Sequence, residues 1–189
     1  MKTGVLVHGC HLGALNWRGI MWGNPPGEMG RIPKSVSVAL QEGAALLVFG
    51  TGASEKDGKK EGEYTLDFML DFFDKLSEFS WFEGIDLEEA RSRMAEISIP
   101  ECHSQNTREE MEEGARIFLE HGVEKIILVS SPTHISRCIR DALVMCHEPR
   151  FSRLRNHLYA VASDTSYLGG RVDDVVIFEP PHLSLIHIS

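Results

Sequence analysis

Two short blocks carry the residue types from which a site can be built. They are Glu101-Cys102-His103-Ser104-Gln105-Asn106-Thr107 and Val129-Ser130-Ser131-Pro132-Thr133-His134-Ile135-Ser136-Arg137. Each places hydroxyl and amide side chains where an extended segment gives way to a helix. The first helical turn leaves N–H donors without an intrahelical acceptor, and the positive end of the helix dipole favours an anion there. His134 and Arg137, three apart, share a helix face and add a donor and a fixed charge. This chemistry suits a phosphorylated or carboxylated small molecule. Glu101, at a strand end beside hydroxyls, is the type of group that holds ribose oxygens or acts as a general base. Glu101 and His134 are therefore the catalytic candidates. Ser104, Asn106, Thr107, Ser130, Ser131 and Thr133 supply oriented hydrogen bonds, and Arg31 reaches the same cleft.

Plainer uses compete with each of these. Asn106 and Thr107 are equally well read as helix caps. His134 and Arg137 also suit an exposed helix surface. Gly50-Thr51-Gly52 lets backbone approach a phosphate, but without a full G-x-G-x-x-G it also fits a simple tight turn. His8, Cys10, His11, Cys102, His103 and His134 are zinc-type residues without a Cys-x-x-Cys or His-Glu-x-x-His spacing, so no metal is expected. A nucleophilic Cys10 or Cys102 needs a histidine beside it. Neighbours such as Cys102 and His103 point to opposite sides of an extended segment.

The elements that must position these residues read as a parallel α/β protein. Val5-Val7, Ala45-Phe49, Ile126-Val129, Tyr159-Ala162 and Val175-Phe178 are continuous apolar runs, as expected for strands buried on both faces, and Ile97-Pro100 is a weaker one. Between them the spacing predicts helices from Lys34 to Glu42, from Thr107 to Gly122, and from Ser131 with Pro132 in its first turn. Thr107 serves as N-cap of the second, with Glu110 as its capping-box partner. Ile135, Ile139, Ala142, Leu143 and Cys146 make the buried stripe of the third, leaving His134, Arg137 and Asp141 off it. The expected fold is a three-layer Rossmann-like sandwich with a mostly parallel sheet, whose ligand sits at the carboxyl ends of the strands.

Residues 1–181 read as one domain. The stretch 11–33 is too long for an ordinary connection and suits a lid or a packed loop holding Trp17 and Trp22. Residues 61–96 read as an acidic helical insertion, with one long amphipathic helix and a shorter one from Asp86. The tail 182–189 is set aside as disordered or foreign. The 189-residue chain has a formal net charge of -9, which argues against broad nucleic-acid contact. No signal-like start or bilayer-length apolar run is found, so a cytoplasmic protein without a membrane partner is expected. Its four cysteines are then reduced.

On these residues the chain resembles the YdcF-like family, which includes SanA-like and ElyC-like proteins. The matching pieces are Val5-Leu6-Val7-His8-Gly9, Arg31, Leu47-Val48-Phe49-Gly50-Thr51-Gly52, Glu63, the Glu101/Ser104/Asn106/Thr107 block, and Leu128-Val129-Ser130-Ser131 leading to Thr133, His134 and Arg137. The resemblance implies a Rossmann-like sheet and a nucleotide-like ligand, with S-adenosylmethionine as one suggestion. The chain departs from the family in Gly50-Thr51-Gly52, where Ser-Gly-Gly is usual, in His8 and Cys10, and in the longer acidic insertion. Lacking a membrane segment, it looks more like the soluble YdcF-type branch. Two functions stay open: an enzyme or binder acting on an anionic metabolite, and a non-catalytic sensor or interaction protein that signals through the acidic, aromatic stretch.

Overall fold

Strands that bury both faces need a helical layer on each side, and the apolar runs are placed accordingly. The computed structural model describes residues 1–166. In chain order the elements are β1 (Thr3–Val7), α1 (Trp17–Met21), the short hairpin β2 (Gly23–Asn24) and β3 (Glu28–Met29), α2 (Arg31–Gln41) and β4 (Leu46–Phe49). The ribbon β5 (Glu55–Lys56) and β6 (Lys59–Lys60) follows, then α3 (Glu61–Asp71), α4 (Leu87–Ile97) and β7 (Ser98–Pro100). The described chain is completed by α5 (Thr107–Glu120), β8 (Lys125–Ser130), α6 (Pro132–Met145) and β9 (Leu158–Ala162). The main sheet is parallel throughout, in the order β7-β4-β1-β8-β9.

Alternate residues of each strand face opposite layers. Val5, Val7, Leu47, Phe49, Ile127 and Val129 pack against α1 to α4. Leu6, Leu46, Val48, Ile126 and Leu128 pack against α5 and α6. This is the expected Rossmann-like α/β architecture. The expected strand at Val175-Phe178 and the tail 182–189 lie outside the described residues.

Three local expectations are corrected, and the structure decides between the two readings of residues 11–33. Helix α2 begins at Arg31 rather than Lys34, because Pro33 fits a first helical turn, where its missing N–H has no intrahelical acceptor to lose. Residues 11–33 are a packed connection: Trp17 is ringed by Tyr64 and Phe68 at 5.4 and 5.1 Å between centroids, and Trp22 packs on Phe68, Phe72 and Phe79. Both tryptophans are buried and serve the core. The stretch after Glu61 is not one long helix. It breaks at Phe72 into two 3-10 turns, which send Phe73, Leu76, Phe79 and Phe82 into the core, and Asp86 caps α4 as expected. Helix α6 is rotated from the expected face: it buries Cys138, Asp141, Ala142 and Met145, while Ile139 and Leu143 are exposed. Its apolar residues lie on two adjacent rows, and the row continuous with Cys138 is the one that meets β8 and α5.

Candidate functional site

The strand order reverses at β1, whose neighbours β4 and β8 lead away in opposite directions. Open α/β sheets bind ligands at the carboxyl ends beside such a point. His8 follows β1 directly, and its N–H donates to the Val129 carbonyl at 3.0 Å, continuing the ladder with β8. This leaves the ring fully buried at the strand end. Its Nδ1 lies 2.7 Å from Glu110 Oε2, and the Gly9 N–H donates to the other oxygen, Oε1, at 2.9 Å. The carboxylate reaches this far because Gly50 has no side chain: a Cβ there would stand 2.0 Å from Glu110 Oε1. A Cβ on Gly9 would likewise stand 2.1 Å from Glu61 Oε1.

His134, in the first turn of α6, meets the His8 ring edge-on, with centroids 5.9 Å apart and planes at 87°. Its Nδ1 is 2.9 Å from Ser130 Oγ and 3.4 Å from Cys138 Sγ. Its Nε2 is 3.3 Å from Thr107 Oγ1 on α5. Spacing of four along α6 stacks His134 over Cys138. His8 Nε2 is buried without a hydrogen-bond partner among the described residues.

Arg31 straps the two strand ends together. Its Nε donates to Ser131 Oγ at 2.9 Å, and its Nη1 donates to the carbonyls of His8 and Gly9. The guanidinium is fully buried, and its charge favours the ionised form of Glu61. Glu61, the first residue of α3, accepts a hydrogen bond from Ser54 Oγ and one from the Cys10 N–H.

Burial and neighbouring charges pull the titrating groups in opposite directions. For His8, burial opposes the proton, but the charges of Cys138 and Glu110 override it and push the pKa up to about 10. Burial would raise the Cys138 thiol, yet the imidazoles of His8 and His134 bring it down to about 6. Glu110 is held below its ordinary value: burial is outweighed by His8 and the Gly9 N–H. Glu61 rises to about 7, chiefly through burial and with help from the Glu110 charge, against Ser54 and Arg31. At neutral pH the centre is thus an imidazolium held between a carboxylate and a thiolate. No group of three or more His, Cys, Asp or Glu among the described residues is arranged to hold a metal ion.

Of the residues expected from the sequence, the structure brings together His8, Gly9, Arg31, Gly50, Thr107, Ser130, Ser131 and His134. Thr133 lies at the rim, its hydroxyl 3.0 Å from Ser166 Oγ. The others are placed differently. Glu101 folds its own turn, accepting the N–H groups of His103 and Ser104 at 2.6 and 2.9 Å and the Ser104 hydroxyl, so both its oxygens are engaged. Thr51 accepts the Ala53 N–H, and Gly52 is tied to Ser104 and Gln105. Asn106, not Thr107, caps α5, accepting the Glu109 N–H at 3.1 Å. Glu63 is exposed and caps α3 through the Lys60 N–H. Arg137 turns outward, 58% exposed and 3.9 Å from Asp141.

Sequence reasoning missed Glu110, Glu61 and Cys138. In the sequence Glu110 reads as a capping partner. Glu61 stands two residues before Glu63, the one that carries the family resemblance. The signal for Cys138 was available in its spacing of four from His134. No family model, curated protein or solved structure matches the chain.

Proposed function

We propose that this chain binds an anionic small molecule, nucleotide-like or phosphorylated, at the ends of β1 and β8, and that it is a YdcF-like protein. One observation carries the reading. The start of α6 has no side-chain cap, because the Ser131 hydroxyl is held by Arg31, and it opens beside His134 above the His8 imidazolium. Pro132 has no N–H and the His134 N–H donates to the Ser131 carbonyl, so the Thr133 N–H is the open donor among the described residues, and together with the buried Arg31 guanidinium behind Ser131 it favours a phosphate, sulfate or carboxylate. His134, Thr133 and Thr107 line the approach, and the half-buried Gly9 stands beside it. S-adenosylmethionine enters this class through its carboxylate and nucleoside. Arg137 is not needed, and Glu101 acts by shaping the neighbouring turn.

The chemistry available beyond binding is proton transfer through His134, whose ring joins Ser130 and Thr107. No helix among the described residues is long and apolar enough to cross a membrane.

Isothermal titration with sulfate, a nucleoside diphosphate, a sugar phosphate and S-adenosylmethionine tests the reading. At least one is expected to bind, with affinity reduced about tenfold or more in His134→Ala, the scale of one charge-assisted hydrogen bond. Absence of binding by all four, or binding indifferent to His134→Ala, overturns it.

A further inference from the structure

We infer that Cys138 is a reactive thiol of this protein, oxidised by small hydroperoxides on its His134 side. The inference is independent of the anion-binding reading, since the sulfur can be oxidised whether or not a ligand occupies the strand ends.

Four cysteines are present, and none of them is in a disulfide among the described residues. Exposure alone ranks Cys102 first, because it is the only one partly exposed. Its surroundings do the opposite of activation: burial and the Glu63 charge raise its pKa. Cys138 is fully buried but has a different setting. Its sulfur lies 3.4 Å from His134 Nδ1 on its own helix. From β1 it is faced by His8, whose charge acts on it although no hydrogen bond of ordinary geometry joins the two. Behind His8, on α5, Glu110 holds the imidazolium in place at 2.7 Å. Two imidazoles on one sulfur stabilise the thiolate, which is the nucleophilic form.

A second observation points the same way. His8 Nε2 is a fully buried polar atom without a hydrogen-bond partner among the described residues, and such atoms are costly unless something uses them. In the inferred step the Cys138 thiolate attacks one peroxide oxygen. An S–O bond forms as the O–O bond breaks, and the departing alkoxide takes a proton from the imidazolium. The sulfur is oxidised from thiolate to sulfenic acid, and the hydroperoxide is reduced to an alcohol, or to water when hydrogen peroxide is the oxidant. Cys138 is buried beneath the half-buried His134, so the oxidant of the inferred step is of the smallest class, hydrogen peroxide or a short alkyl hydroperoxide.

The test sets charge against exposure. The folded protein is treated with one equivalent of hydrogen peroxide at pH 7, sulfenic acid is trapped with a cyclic 1,3-diketone, and the four cysteine peptides are quantified by mass spectrometry. Cys138 is expected to be trapped first. Reaction at Cys102 ahead of Cys138, or no trapping at Cys138 in the folded protein, overturns the inference. A second measurement does not depend on a variant folding: the rate of iodoacetamide labelling at Cys138 of the unaltered chain should level off near neutral pH, while labelling at Cys102 still climbs above pH 8. A Cys138 profile that climbs with that of Cys102 overturns it as well. In His134→Asn the Cys138 rate at pH 7 should fall about tenfold, and an unchanged rate again counts against the inference.

Discussion

Helices α5 and α6 start side by side, joined by the contact between Thr107 and His134, yet they treat their free donors in opposite ways. At α5 the chain satisfies itself. Asn106 accepts the Glu109 N–H, and the Glu109 carboxylate accepts from the Gln105 N–H and the Asn106 amide. At α6 the hydroxyl in the capping position accepts from Arg31 instead, the His134 N–H turns back to the Ser131 carbonyl, and Pro132 removes one N–H altogether, so the open donor is that of Thr133. The closed start contributes stability and is finished chemically. The open start is held rigid by a buried guanidinium and keeps its polarity for something else. Two blocks that look alike as sequence therefore have different uses.

The contrast can be broken most forcefully from beneath. Glu110→Ala leaves the start of α5 intact but strands the His8 imidazolium without its carboxylate. A loss of about 3–5 kcal/mol is expected, read as a lowered urea midpoint at pH 7. A loss below about 1 kcal/mol would mean that the two groups do not form a charged pair.

Glu61 gives the next largest effect, with a definite sign. Its folded pKa of about 7 lies above the ordinary 4.5, so the folded state holds this proton more tightly than the unfolded chain. Its contribution is most favourable below the unfolded value and is lost as pH rises through 7, up to about 3 kcal/mol in all. Glu61→Gln should remove this dependence, so its stability relative to the parent improves between pH 4 and pH 8. Urea midpoints that move in parallel for the two proteins would show that Glu61 is ionised throughout.

Asn106→Ala sharpens the comparison from the closed side. A cost of about 1 kcal/mol is expected from the lost cap, with sulfate affinity measured by calorimetry unchanged. A matched loss of affinity would assign the anion to α5. Arg137→Ala should do least, within about 0.5 kcal/mol as an outward surface change, again with unchanged sulfate affinity. A tenfold loss there would mean that the arginine swings inward on binding.

The fold was legible because burial on both faces leaves a mark on every residue of a strand. Val5-Leu6-Val7 and Ile126-Val129 have no polar face to hide, and five strands place five sets of residues at one edge. The location of the site followed from that edge. Its membership followed only in part, because membership depends on helix rotation. Moving the α5 cap from Thr107 to Asn106 makes Glu109 the capping partner and turns Glu110 inward to His8, a change of one residue and about 100° of helix. A shift of two residues separates Glu61 from Glu63, and a shift of one separates Cys138 from Ile139. Glu101 is a separate case. Its residue type and position were correct for a ribose or a proton, but three donors within its own turn reach it first.

The strap and the buried pair span most of the chain: Arg31 and Ser131 are 100 residues apart, and His8 and Glu110 are 102. During synthesis the N-terminal half emerges with His8 and Arg31 already in place and neither partner yet made. Burying those cations alone is costly, so the inner ends of β1 and α2 stay hydrated until α5 and α6 arrive. Pulsed hydrogen exchange reads this at the Gly9 amide, which should gain protection only as Glu110 docks; protection of Gly9 in a chain ending before α5 would contradict it. The cleft is then the last part of the molecule to close, and a half-made copy has no site to offer.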